Sequence, residues 1–215
     1  MPQRTRIKIC GLTREADLRA AVDAGADAVG FVLWAGSPRA VSIERATELA
    51  RALPPFVTPV GLFVNASPEH IARAVQALPH LLLQFHGDET PADCAVPGRP
   101  YLRSVRMRPG LALLDFALAH AGAAALLLDA DVQGYGGGGK AFDWSLIPSD
   151  VPLPVVLSGG LSPANVTDGV LRVRPWAVDV SSGVEAGKGL KDARLIREFC
   201  EAVREADARI ADADA

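Results

Sequence analysis

The sequence predicts a single (β/α)8 barrel, the TIM-barrel architecture, formed by residues 1–215. Eight short apolar segments alternate with helical stretches at a spacing of about 25 residues, as expected of a compact barrel of this kind. These segments carry Val, Leu and Ile at both odd and even positions, which is typical of parallel strands covered on their outer face. No linker or change of composition marks a second domain. An open doubly wound sheet is the alternative, but the first turn, Gly11-Leu12-Thr13, lacks the glycine-rich signature of that fold.

The predicted strands are residues 6–10, 27–33, 57–63, 81–85, 101–106, 124–129, 155–158 and 177–180. Helix starts are predicted where a hydroxyl residue stands close before proline or an acidic residue, at Thr13, Ser42, Ser67 and Ser162. The Ala- and Asp-rich residues 205–215 are expected to form a frayed C-terminal tail.

Composition excludes several classes of function. The 22 basic and 25 acidic residues give a net charge of −3 and no predicted basic face, so we expect no nucleic-acid partner. The longest apolar run, residues 121–128, is too short to cross a membrane, and no secretory signal is recognisable. Three widely spaced cysteines predict neither a disulfide framework nor a zinc site, and they favour a cytoplasmic location.

Cys10 stands at the end of the first predicted strand, where barrel enzymes carry their functional groups. Strand alternation places Lys8 and Cys10 on the inner face and Ile7 and Ile9 on the outer one. On the eighth strand the same rule turns Asp179 inward, so we expect a buried Lys8–Asp179 ion pair beneath the site. A cation near Cys10 would favour its thiolate, the basic form. The alternative for Cys10 is simple core packing, the reading we prefer for Cys94 and Cys200, which lie in helical surroundings.

Asp129 ends the sixth strand, after Leu126-Leu127-Leu128. Burial there would raise its pKa, as a general acid requires, although an aspartate in this position can also cap a loop. Asp131 is two residues further on, so the role of general acid could be assigned to the wrong one of these two aspartates. A thiol and a carboxyl at the ends of different strands predict an enzyme of proton transfer that needs no metal or nucleotide.

Three glycine-rich turns are candidates for phosphate binding. Residues 134–140 match the P-loop pattern, but Ala141 replaces its Ser or Thr, so we expect a mobile lid whose backbone amides, including that of Gly139, reach a phosphate. The other two turns follow strands seven and eight, the usual phosphate site of the barrel. They are Ser158-Gly159-Gly160 and Ser181-Ser182-Gly183.

Three polar residues complete the predicted site. Arg39, in the loop after strand two, can clamp a carboxylate or can be merely solvated. Gln84 and His86 share the inward parity of strand four, and we expect His86 to be a hydrogen-bonded supporting residue more than a catalyst.

Taken in order, eight motifs resemble the phosphoribosylanthranilate isomerase family of tryptophan biosynthesis from Lys8 to about Phe199. They are Lys8-Ile9-Cys10-Gly11, Gly25-Ala26-Asp27-Ala28-Val29-Gly30-Phe31, Ser37-Pro38-Arg39, Gly61-Leu62-Phe63-Val64-Asn65, Gln84-Phe85-His86-Gly87, Phe142-Asp143-Trp144, Leu157-Ser158-Gly159-Gly160-Leu161 and Val178-Asp179-Val180-Ser181-Ser182-Gly183-Val184-Glu185. Two departures are Gly138, where the family usually has Thr or Ser, and Trp34-Ala35-Gly36.

The resemblance implies an Amadori rearrangement of N-(5'-phosphoribosyl)anthranilate without a cofactor. It implies that Asp129 is the general acid, that Cys10 is the general base and that Arg39 holds the anthranilate carboxylate. Gly159, Gly160, Ser182 and Gly183 would line the phosphate site. The partner is then a small phosphoribosyl substrate, while monomer and homodimer both stay open.

Three alternatives are weighed against this hypothesis. An isomerase of the histidine pathway resembles a barrel with aspartate in place of Cys10, although an enzyme acting on both substrates stays possible. A lyase would need Lys8 as a Schiff-base nucleophile, which an ion pair with Asp179 opposes. A non-catalytic phosphate-binding protein would need neither Cys10 nor Asp129.

Overall fold

The computed structural model describes residues 4–130 and 141–214. Eight parallel strands close into a barrel in the order β1 to β8, with β1 hydrogen-bonded to β8. The strands are β1 (Arg6–Cys10), β2 (Ala28–Val32), β3 (Thr58–Phe63), β4 (Leu82–Phe85), β5 (Tyr101–Met107), β6 (Ala125–Ala130), β7 (Val155–Leu157) and β8 (Ala177–Val180). The predicted (β/α)8 fold is confirmed, and every predicted strand end lies within one residue of the observed one.

The described helices lie outside the barrel. They are α1 (Glu15–Asp23), α2 (Ile43–Ala50), α3 (Pro68–Ala77), α4 (Pro91–Ala95), α5 (Leu113–Ala119), α6 (Val166–Val173) and α7 (Ala193–Ala213). Between β6 and β7, the described residues contain a short 3-10 turn, Trp144–Leu146. A small antiparallel hairpin, β9 (Glu185–Gly187) and β10 (Leu190–Lys191), follows β8. No helix in the described ranges has both the length and the apolarity needed to span a membrane.

Burial explains why this pattern of residues forms a barrel. Outward-facing residues of the strands, such as Ile7, Ile9, Val178 and Val180, pack against the helices in one large apolar core. A second cluster fills the barrel interior below the site. Its buried members are Val60, Leu102, Ala125, Leu127, Val156 and Ala177. Because this interior is packed, the cavity available for chemistry lies above it, at the carboxyl ends of the strands.

Two of the four predicted helix caps are confirmed. Ser42 accepts a hydrogen bond from the Arg45 backbone N–H at 3.1 Å, and Ser67 accepts one from His70 at 3.3 Å. The prediction for Thr13 is wrong, because its hydroxyl donates to the Gly189 carbonyl and α1 begins two residues later.

The cap predicted at Ser162 is also wrong. Its backbone N–H donates to Asn165 Oδ1 at 2.8 Å, and Asn165 Nδ2 donates to the Gly160 carbonyl at 3.0 Å. The side chain of Asn165 thereby closes a separate turn, and α6 begins at Val166.

The last helix, α7, continues through residues for which the sequence predicts a frayed tail. Ala206 is buried, and Asp207 accepts hydrogen bonds from the backbone and hydroxyl of Thr5 at 2.9 and 2.6 Å. These contacts attach the end of the chain to the start of β1. Fraying of residues 205–215 stays a prediction about their dynamics.

Candidate active site

A cavity of about 250 Å³ opens at the carboxyl ends of the strands. Many of the residues singled out in the sequence line it, with Trp34 and Ser181 beside them. Those predicted residues are Cys10, Arg39, His86, Asp129, Ser158, Gly159, Gly160, Asp179 and Ser182. A larger cavity of about 650 Å³ lies at the opposite end, before β3 and β4, but it is lined mainly by proline and apolar residues. We therefore assign the candidate active site to the smaller cavity.

The Lys8–Asp179 ion pair lies beneath this cavity, as predicted. Lys8 Nζ donates to Asp179 Oδ1 at 2.8 Å, and both side chains are buried. Burial alone lowers the pKa of Lys8, but the negative charge of Asp179, its hydrogen bond and the neighbouring Cys10 sulfur outweigh this effect, so its pKa lies above the ordinary value. A lysine held charged in this way is a poor Schiff-base nucleophile, which argues against the lyase alternative.

Asp129 lies at the end of β6 and is 8% exposed. Its Oδ1 accepts a hydrogen bond from the Ala130 backbone N–H at 2.9 Å. Burial, reinforced by the negative charge of Asp179, raises the pKa of Asp129 to about 6. The predicted rise is confirmed, and it leaves this carboxyl able to donate a proton near neutral pH. Asp131, the alternative acid, lies outside the described residues.

Cys10 lies on the inner face of β1, in a small apolar cluster with Val32, Leu62 and Val64. Burial raises the pKa of its thiol, and the positive charge of Lys8 only partly offsets this effect. Lys8 favours the thiolate, as predicted, but the cost of desolvating the thiolate exceeds this attraction, so the pKa of the thiol lies above its ordinary value. The other two thiols, Cys94 and Cys200, are fully buried in α4 and α7.

Arg39 is not merely solvated, because it forms a bidentate ion pair with Glu185, a partner that was not predicted. Its Nε and Nη2 donate to Glu185 Oε1 and Oε2 at 2.7 and 2.8 Å. Lys191 Nζ lies 2.9 Å from Glu185 Oε1 and also donates to the Ser181 carbonyl. Glu185 ends the last of the eight motifs, but nothing in that motif indicates its partners. One of them, Arg39, lies 146 residues away in the sequence.

The two described glycine turns lie side by side at the mouth of the barrel. Gly159 and Gly160 have φ values of +76° and +69°, which residues with side chains rarely adopt. A Cβ at Gly183 would collide with the Leu161 carbonyl oxygen, so glycine allows the two turns to approach each other. Their backbone and the Ser182 hydroxyl can surround an anion. Gly138, Gly139 and the rest of the predicted lid at 134–140 lie outside the described residues.

Gln84 lies on β4, and His86 follows the last residue of that strand and lines the cavity. The side-chain amide of Gln84 contacts His86 Nε2, and Gln84 is fully buried. Burial, together with the charge of Lys8, lowers the pKa of His86 to about 3. A neutral imidazole at this position can orient a ligand but carries no charge near neutral pH.

Two further residues of the site were not proposed from the sequence. Arg106 lies at the end of β5 in register with Asp129, and its charge lowers the pKa of Asp129 and His86. Strand alternation could have identified it, since Leu102, Ser104 and Arg106 share one face. Trp34 packs on the Cys10 cluster and forms an apolar wall suited to an aromatic ring. Within the described ranges, no group of three His, Cys, Asp or Glu residues is arranged to hold a metal ion.

A closed barrel with titratable side chains at the carboxyl ends of its strands defines the class of TIM-barrel enzymes. The sequence matches the family model described as N-(5'phosphoribosyl)anthranilate (PRA) isomerase over residues 7–202. The chain therefore belongs to the phosphoribosylanthranilate isomerase family, as its motifs indicated.

Similar proteins agree with this assignment. The N-(5'-phosphoribosyl)anthranilate isomerase of Leptothrix cholodnii is 72% identical over 212 residues, covering 99% of this chain and 96% of its own. That of Methylibium petroleiphilum is 73% identical over 208 residues, with 97% and 98% covered. The solved Thermotoga maritima isomerase is 41% identical with a TM-score of 0.85, over 94% of this chain and 99% of its own.

A further solved relative carries a ligand. It is a phosphoribosylanthranilate isomerase in complex with reduced 1-(o-carboxyphenylamino)-1-deoxyribulose 5-phosphate, 38% identical to this chain with a TM-score of 0.83. The similarity covers 94% of this chain and 99% of the relative.

Proposed function

We propose that the protein catalyses the Amadori rearrangement of N-(5'-phosphoribosyl)anthranilate to 1-(o-carboxyphenylamino)-1-deoxyribulose 5-phosphate, a step of tryptophan biosynthesis, in the cytoplasm. The placement of two proton-transfer groups in one cavity supports this proposal in addition to the family assignment. A buried carboxyl with a pKa of about 6 and a buried thiol, Asp129 and Cys10, line the same small cavity from β6 and β1. These strands are separated around the barrel, so the two groups can act on different atoms of one substrate.

In the proposed first step, Asp129 acts as general acid and gives its proton to the ring oxygen of the ribose. The bond between that oxygen and the first sugar carbon breaks as the nitrogen lone pair forms an iminium. Burial supports this role, because it keeps the Asp129 carboxyl protonated closer to neutral pH.

In the proposed second step, Cys10 acts as general base and removes the proton from the second sugar carbon. The resulting enaminol gains a proton at the first carbon and loses the proton of the hydroxyl on the second carbon, which leaves the aminoketone product. Because burial raises the thiol pKa, only a small fraction of Cys10 is thiolate at neutral pH, but that thiolate is a strong base.

Substrate binding is proposed to use both ends of the cavity. Gly159, Gly160, Ser182 and Gly183 would hold the phosphate, and Gly139 would add a further contact. Arg39 would bind the anthranilate carboxylate beside the apolar wall of Trp34. The supporting residues Lys8, Asp179, Gln84 and His86 would hold the floor of the site in place.

The test is turnover of phosphoribosylanthranilate by the purified protein, followed by the change in anthranilate fluorescence, in buffer without metal or nucleotide. We expect conversion by the native chain and losses of about 10²- to 10⁴-fold in kcat for Asp129→Asn and Cys10→Ala. Cys94→Ala is the matched control, because it removes a buried thiol that does not line the cavity. No conversion by the native chain would refute the proposed reaction, and near-full turnover of either variant would refute that residue's role.

A further inference from the structure

The hairpin formed by β9 and β10 connects the loop after β8 to the neighbouring segments that follow β1 and β2. Thr13 donates a hydrogen bond to the Gly189 carbonyl at 2.9 Å, and the Lys191 backbone N–H donates to Asp17 at 3.2 Å. These contacts hold the hairpin over the start of α1. They also bring two charged residues of the hairpin, Glu185 and Lys191, to Arg39 in the loop after β2.

Arg39, Glu185 and Lys191 form a compact cluster of three charges. Glu185 Oε1 lies 2.7 Å from Arg39 Nε and 2.9 Å from Lys191 Nζ. The Lys191 side chain is 0% exposed and that of Glu185 is 6% exposed. Burial lowers the pKa of Lys191, and the neighbouring charge of Glu185 opposes this effect. With both side chains charged, two cations and one anion leave the cluster with a net charge of +1.

Of the three residues of this cluster, only Arg39 lines the cavity. Its side chain keeps 11% of its surface exposed and lines the same cavity as Cys10, whereas the Lys191 ammonium is covered. Glu185 occupies the edge of the guanidinium formed by Nε and Nη2. The edge formed by Nη1 and the second N–H of Nη2 is therefore the one that can bind a carboxylate in bidentate fashion.

We propose that Lys191 is a specificity-determining residue that acts through Arg39 without touching the substrate. A carboxylate bound at the open edge of an isolated Arg39–Glu185 pair is attracted by the guanidinium and repelled by Glu185 on the far edge, so part of the attraction is lost. Lys191 compensates the charge of Glu185, so the subsite keeps its positive charge while Glu185 holds the orientation of Arg39. This inference rests on the proposed function, in which Arg39 binds the aryl carboxylate of the substrate.

The test compares two ligands that differ only in the carboxylate. The first is reduced 1-(o-carboxyphenylamino)-1-deoxyribulose 5-phosphate, and the second is its phenylamino counterpart without the carboxyl group. The ratio of their dissociation constants, measured by titration calorimetry, isolates recognition of the carboxylate from that of the phosphate. The variants are Lys191→Met, which removes the buried charge and leaves the Arg39–Glu185 pair, and Lys188→Met, which removes an equal charge from an exposed position of the same hairpin.

We expect the native chain and Lys188→Met to bind the carboxylated ligand about 10- to 100-fold more tightly than its counterpart. In Lys191→Met this preference should fall about tenfold or more, while the affinity for the carboxyl-free ligand changes little. Equal weakening of both ligands would overturn the inference and assign Lys191 to the loop at Ser181 or to the fold. An unchanged preference in Lys191→Met would overturn it as well. No preference in the native chain would refute the proposed role of Arg39 itself.

Discussion

Lys8 on β1 and Asp179 on β8 face each other where the first strand of the barrel meets the last. Their Cα positions are paired in the strand register, and Lys8 Nζ lies 2.8 Å from Asp179 Oδ1. Asp179 also accepts a longer hydrogen bond, 3.4 Å, from Ser158 Oγ, next to the glycine turn of Gly159 and Gly160. The pair therefore joins the seam of the barrel to the floor of the candidate active site.

Removing one partner of this pair should strongly destabilise the fold. In Lys8→Met the Asp179 carboxylate is left buried without its cation, and we expect a loss of about 3–5 kcal/mol in the free energy of unfolding. Urea denaturation at neutral pH measures it. Adding Asp179→Asn to Lys8→Met should recover part of the loss, because no uncompensated charge is then buried.

Arg45→Met, which breaks an exposed ion pair with Glu15, is the control and should change stability little. Equal losses of stability in Lys8→Met and Arg45→Met would contradict the predicted cost of burying an unpaired charge.

The pH dependence of kcat/KM should show a broad plateau. The proposed mechanism needs Asp129 protonated and Cys10 ionised, although the pKa of Asp129 is about 6 and burial raises that of Cys10 above its ordinary value. The fraction of enzyme in that state is constant between the two pKa values and falls tenfold per pH unit outside them. We therefore expect kcat/KM to fall below about pH 6 and again above the raised pKa of Cys10, with little change between.

The residual activities of Cys10→Ala and Asp129→Asn identify which group causes the fall in kcat/KM at each end of the pH range. In Cys10→Ala only the acid remains, so the residual rate should decline above about pH 6. In Asp129→Asn only the thiol remains, so the residual rate should rise toward alkaline pH. A native profile that already declines through the neutral range would contradict the assignment of Cys10 as base.

Asp129→Asn should lower activity and at the same time raise stability. A carboxyl whose pKa is higher in the folded than in the unfolded chain binds more protons when folded, so stability falls as pH rises from about 4 to about 6 and stays reduced above that range. The rise in the pKa of Asp129 corresponds to at most about 3 kcal/mol at neutral pH.

Asparagine cannot ionise, and it keeps an oxygen that can accept the hydrogen bond from Ala130. Urea denaturation should therefore show a gain for Asp129→Asn at pH 7 that shrinks as the pH falls from about 6 to about 4 and is lost below about pH 4, where aspartate is neutral in both states. A variant less stable than the native chain at neutral pH would show that the charged carboxylate has partners that stabilise it.

The fold could be predicted from sequence because its signals are local. Apolar strands at regular spacing and hydroxyl caps such as Ser42 and Ser67 are read within a few residues. The caps predicted at Thr13 and Ser162 failed because those residues have other hydrogen-bond partners, Gly189 in the first case and Asn165 in the second. The contact between Thr13 and Gly189 joins the segment after β1 to the hairpin, and no local sequence pattern predicts it.

The candidate site could be predicted where strand alternation and strand ends define it, as for Lys8, Asp129 and Asp179. The protonation state of Cys10 could not, because it depends on whether burial or the charge of Lys8 has the larger effect. The engagement of Arg39 by Glu185 was equally hidden, since a loop after β2 and a hairpin after β8 must first be brought together. The sequence thus identifies the chemical groups, whereas their electrostatic balance requires the three-dimensional arrangement.

The close approach of the two phosphate turns should be essential for substrate affinity. An added methyl group in Gly183→Ala would overlap the Leu161 carbonyl oxygen, so one turn must move away from the other. We expect the KM for phosphoribosylanthranilate and the inhibition constant of inorganic phosphate both to rise about tenfold or more, because charge-assisted hydrogen bonds to the phosphate lose their geometry. Gly187→Ala is the matched control, since a Cβ there meets no atom within 4 Å. It should leave both constants unchanged. If Gly183→Ala bound phosphate as the native chain does, the phosphate would have to lie elsewhere in the cavity.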